Sequence, residues 1–171
     1  MPLSPRAVAA ALAPQTDERE INLLTITHPQ WAEPLRLSTD PTVWLRNDPD
    51  TGTPMYGTIS RGLTFEYVPI APVLPDSRED SPPSGKVSIS NVSRLVSPYL
   101  LTIEDEYPRV TVEVVLASQP DIVDQVWPEM ELTNASIDAN NAEATIAMNT
   151  AQTEPLPWLR FVPAYFPNLF D

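Results

Sequence analysis

The chain has 171 residues, with 23 acids against 10 bases for a formal net charge of −13, no cysteine, 21 prolines and only 4 glycines. The missing cysteines exclude disulfides, Cys-ligated zinc and thiol nucleophiles. The acidity disfavours phosphate backbones and anionic membrane surfaces as partners, and so many prolines leave little room for a mostly helical protein.

Hydrophobic residues make up 42% of the chain, enough for one buried core at this length. Ser4-Pro5 reads as an N-cap followed by a first helical residue, and predicts a helix over 4–15 with Val8, Ala11 and Leu12 on one side. Its apolar stretch, Ala7 to Ala13, is a poor signal peptide, and nothing approaches the run of about eighteen apolar residues that a membrane helix needs. An acidic run at 17–20 then leads into Ile21–Thr27, a strand with buried character that His28-Pro29 closes. Leu35–Leu37 is a short strand. Thr42–Arg46 and Met55–Ile59 flank the turn residues Asn47–Gly52 and predict a hairpin. Over Gly62–Ile70, Leu63, Phe65 and Tyr67 alternate with Thr64 and Glu66, as one strand would. The proline-rich stretch Ala71–Gly85 reads as a long exposed loop.

Lys86–Asn91 follows as a short strand. Val92, Leu95, Val96 and Tyr99 keep helical spacing for one short central helix, which Pro98 ends or kinks. In Arg109–Leu116, Val110, Val112, Val114 and Leu116 share a face opposite Arg109, Thr111 and Glu113. Met130–Ile137 and Ala142–Met148 straddle a turn and predict another hairpin. Residues 153–171 interleave four prolines with Trp158, Phe161, Tyr165, Phe166 and Phe170, without helical or strand periodicity. They read as an extended strap that wraps its own domain or docks on a neighbour, where aromatic anchors dominate binding. The expected organisation is mainly β: an N-terminal helix and arm over 1–20, a β-sandwich or β-barrel domain over 21–152, and the C-terminal strap.

Catalytic chemistry is hard to assemble from these residues. His28 is the single histidine, so a Ser-His-Asp triad would have to form around a residue at a strand end. No nucleophile-elbow, phosphate-loop or dinucleotide motif is present. Glu104-Asp105-Glu106 and the pair Glu129/Glu131 could nominally serve a glycosidase, yet Glu129 and Glu131 alternate with Met130 and Leu132 as a solvated strand face would. Asp48–Gly52 lacks the ligand run and closing glutamate of a calcium loop and reads as a turn. Asn91 and Asn134 sit in glycosylation sequons that matter only in a secreted chain. No catalytic, metal or cofactor residue is assigned, and a non-enzyme is expected.

Several segments in order give the chain a resemblance. They are Leu24-Thr-Ile-Thr-His-Pro29 after the helix and its acidic exit, Glu33-Pro-Leu-Arg-Leu-Ser-Thr-Asp40, Phe65-Glu-Tyr-Val-Pro69, Ile89-Ser-Asn-Val-Ser-Arg94 and Phe161-Val-Pro-Ala-Tyr-Phe-Pro-Asn-Leu169. Together they resemble a family of minor tail proteins of long-tailed bacteriophages, across nearly the whole chain except 51–57 and 71–85. The resemblance implies a sandwich or barrel related to tail-tube and distal-tail proteins. It also implies a structural virion protein in a homo-oligomeric ring or hub at the tail tip, joining the tube to the tip. Its partners would be the tube, hub and tape-measure proteins, with neither nucleic acid nor membrane bound directly, and no cofactor.

Two other readings stay open. A phage-borne carbohydrate- or receptor-binding β-sandwich would use exposed aromatics such as Trp31, Trp44 and Trp127. A small hydrolase would use acids such as Glu104 and Glu129.

Overall fold

The computed structural model of the chain describes residues 3–73, 84–90, 99, 106–137 and 141–147. The central helix expected before Tyr99, the middle of the 71–85 loop and the strap with Trp158, Phe161, Tyr165, Phe166 and Phe170 lie outside the described residues. The remainder is mainly β, with one short helix and one mixed sheet.

Helix α1 spans Pro5–Leu12. Ser4 caps it, with extended backbone and a hydroxyl that accepts the N–H of Ala7 at 3.2 Å, and Pro5 opens it. Both features follow the sequence, because proline at the first position gives up only an N–H that has no helical partner. The helix buries none of its side chains, however. The stripe of Val8, Ala11 and Leu12 faces solvent, Leu12 being 80% exposed, so amphipathic spacing here does not mark a core face.

Ten strands follow: β1 (Glu20–Thr27), β2 (Leu35–Ser38), β3 (Val43–Asn47), β4 (Pro54–Ser60), β5 (Leu63–Tyr67), β6 (Ile70–Val73), β7 (Ser84–Ser90), β8 (Arg109–Leu116), β9 (Gln119–Ile137) and β10 (Asn141–Ala147). Their order in the sheet is β3-β4-β5-β2-β1-β8-β9-β10-β7-β6. Among the described residues all pairings are antiparallel except β2 with β5. Ala71–Gly85 is therefore not all loop: its two ends belong to β6 and β7, which pair with each other. The single strand expected over 62–70 is two, divided at Val68-Pro69, where proline removes a ladder donor. Strand β9 begins at Gln119, well before the expected Met130. It passes Pro128 by register shifts against β8 and a left-handed Glu129 (φ 48°), devices that bend a long strand.

Strand β1 explains where the core sits. Alternation would predict one buried face, yet Ile21, Leu23, Leu24 and Ile26 are all buried. Ile21 and Leu23 point to one face of the sheet, and Leu24 and Ile26 to the other. On the second face they meet Val110, Val112, Leu35, Leu37, Met130, Leu132 and Ile146. On the first, Ile21 and Leu23 meet Phe65 and Val115, with Val123 beside them. The β3–β4–β5 wing thus curls back so that Phe65 reaches across to β1 and β8. Each fully buried side chain of this kind contributes about 1.5–3 kcal/mol, so both faces hold the central strands.

The β4–β5 connection shows how the curl is made. Ser60 pairs with Leu63 around Arg61 and Gly62, whose φ values of 49° and 76° are both positive. That is the type I′ geometry whose twist suits a two-residue hairpin. Further along, a Cβ on Gly57 would lie 1.9 Å from the carbonyl oxygen of Phe65 and 2.8 Å from Leu45 Cδ1. Only glycine lets β4 and β5 approach this closely.

Candidate functional site

His28 is buried at the end of β1. Its Nδ1 accepts the Gln30 N–H at 3.3 Å, so Nε2 carries the proton donated to the Glu106 carbonyl at 3.1 Å. Its ring packs against Trp31 with centroids 5.5 Å apart, and Trp31 meets Tyr99 edge-on at 5.0 Å. The histidine joins the end of β1 to the segment before β8.

Of the acids considered for hydrolysis, Glu104 and Asp105 lie outside the described residues and Glu106 is exposed. Glu129 stands on the surface 3.8 Å from Arg109, while Met130 and Leu132 point inward. Glu129 therefore sits on a solvated face as expected, whereas Glu131 is half-buried. Asp48 accepts the N–H groups of Asp50 at 2.9 Å and Thr51 at 3.4 Å, and Gly52 closes the turn at φ 70°. These bonds, the Asp50 N–H foremost, hold the Asp48 carboxyl below its usual pKa. No group of three or more metal-ligating side chains occurs among the described residues.

An open cleft of about 540 Å³ lies on one face of the β3–β4–β5 wing, lined by Leu45 and Ile59 with the charged Glu33, Arg36, Arg46 and Glu66. Arg46 and Glu66 are paired with each other.

The opposite face of the same wing carries a different feature. Trp44 lies directly opposite Tyr56 in the β3–β4 ladder. The β4–β5 ladder pairs Gly57 with Glu66, so its next step sets Tyr56 alongside Tyr67. Three aromatics from three adjacent strands thus form one row, exposed by 58%, 41% and 36% respectively. Phe65, two residues before Tyr67 on the same face, is fully buried, so the row borders the core without joining it. Strand β3 is an end strand of the sheet, and the register shift at Leu45 bulges it. A bulge spoils an edge for backbone pairing. The side chains of the row, rather than the strand edge, are what this end of the sheet presents.

No protein-family model matches the chain, and no curated protein matches it in sequence.

Of the three tryptophans considered for ligand binding, Trp31 and Trp127 pack against the core, and Trp44 alone is well exposed. Tyr56 and Tyr67 were not foreseen. Tyr56 was legible as the cross-strand neighbour of Trp44 once the Asn47–Gly52 turn was placed. Tyr67 shares a face with Phe65 by alternation, which does not say where along a strand the cover ends. No helix among the described residues is long and apolar enough to cross a membrane.

Proposed function

We propose that the chain is a structural assembly protein whose aromatic row docks on further copies of itself, as a ring or hub component of a bacteriophage tail tip. The row of Trp44, Tyr56 and Tyr67 carries the reading. Large amphipathic side chains held rigidly on a sheet supply contact area at little entropic cost, and such residues dominate protein interfaces. The row on one copy would meet a different surface on the next, the heterologous contact that closes into rings. A charge of −13 keeps free subunits apart until specific packing overcomes repulsion. The tail-tip position rests on the resemblance of the ordered segments, and a sandwich or barrel related to tail-tube proteins belongs to the same proposal.

Gold-labelled antibody against the chain, applied to tails purified from cells that carry its gene, tests the position. Label at one end of the tail is expected. Particles free of the protein would overturn the reading.

The aromatic row also suits a carbohydrate-binding surface, because sugar rings stack on aromatic faces. Glycan binding by the isolated chain, lost on Trp44→Ala, would favour that function instead.

A further inference from the structure

Helix α1 is held to the domain without any buried side chain. Two carboxylates do the holding. Glu18 accepts Arg6 Nε at 3.1 Å from the helix side, and the N–H and hydroxyl of Ser118 at 3.1 and 2.9 Å from the β8–β9 turn. Asp124, buried in β9, accepts the N–H of Ser4 at 2.8 Å through Oδ1. Its second oxygen is buried without a partner among the described residues. Between helix and strand, residues 11–17 are all exposed and no helical or sheet hydrogen bonding continues through 13–19.

We infer that α1 is a releasable arm, latched to the domain by Arg6 on Glu18 and Ser4 on Asp124 and swinging about residues 13–17. A helix of eight residues with no fully buried side chain is marginal in water, so its order depends on the latch. Opening is therefore a local event that leaves the sheet intact. The bonds of Ser118 to Glu18 and of the Ala117 N–H to the Arg19 carbonyl at 2.9 Å lie on the domain side of the hinge and stay made. Release is a property of the free chain and does not depend on assembly.

Amide hydrogen exchange on the full-length chain tests the release. Glu18→Ala is expected to speed exchange at residues 8–13 by about tenfold, the loss of a charge-assisted anchor, with β1 and β8 unchanged. Unchanged exchange at 8–13 would overturn the latch. So would an equal rise in β1 and β8, which would make Glu18 a support of the whole domain. If Glu18→Ala does not fold, Arg6→Ala, which removes only the helix-side partner, is read in the same way.

Discussion

Ser60 Oγ donates a 2.6 Å hydrogen bond to the carbonyl of Pro120, sixty positions along the chain. This bond fastens the tip of the β4–β5 hairpin to the start of β9. The next residue reinforces it: the N–H of Arg61 meets Asp121, and its guanidinium grips Glu113 through both nitrogens, one at 2.9 Å. The Glu113 pairing raises the Arg61 pKa, so the cation persists at every accessible pH. Arg46 and Glu66 also pair, but in an open cleft and through a single nitrogen. Arg61→Ala is expected to lower stability by about 1 kcal/mol more than Arg46→Ala, since isolated surface pairs contribute little. Urea unfolding of both variants measures the difference.

Phe65→Ala tests the curl itself. Phe65 and Leu63 share a face of β5, but Phe65 is fully buried against Ile21, Leu23 and Val115 while Leu63 is exposed. Truncating Phe65 is expected to cost about 3–5 kcal/mol, and Leu63→Ala less than about 0.5 kcal/mol. Equal costs would mean that the wing does not fold over β1.

Gly57→Ala places a methyl against the Phe65 carbonyl, a backbone atom that cannot swing aside. A loss of about 1–3 kcal/mol is expected, typical of overpacking. Gly52→Ala has open space but a left-handed backbone, so its smaller cost comes from conformation alone. Thermal unfolding ranks the two.

These contrasts show what the residues could and could not announce. The Ser4-Pro5 start, the Asn47–Gly52 hairpin and the valine face of β8 were legible because capping, turn chemistry and alternation are local. The buried character of β1 was legible too, but not which neighbours cover each of its faces, because a run of apolar residues does not name them. The aromatic row escaped for the same reason: it is a relation among β3, β4 and β5 that exists only once their registers are set. Helix α1 misled in the opposite direction, its stripe having the spacing of a core face but no core to meet.

Acidification should loosen α1 before the sheet. Hydrogen bonds from Ser118, the backbone N–H foremost, hold the Glu18 carboxyl below its ordinary pKa of 4.5, with Arg6 adding to them. A depressed carboxylate contributes its stability fully above the unfolded value and loses it as pH falls through the folded value. The contact is therefore intact near neutrality and lost only below about pH 4.5. Amide resonances of residues 8–13, followed against pH, should shift ahead of those of β8, and Glu18→Ala should remove the difference.

Light-scattering mass of the full-length chain across a concentration series tests self-assembly through the aromatic row most directly. The wild-type chain is expected to form a discrete multi-subunit species, and Trp44→Ser with Tyr56→Ser to remain monomeric with an unchanged circular dichroism spectrum. A wild-type chain that stays monomeric at every concentration, or a double variant that assembles as the wild type does, would contradict it.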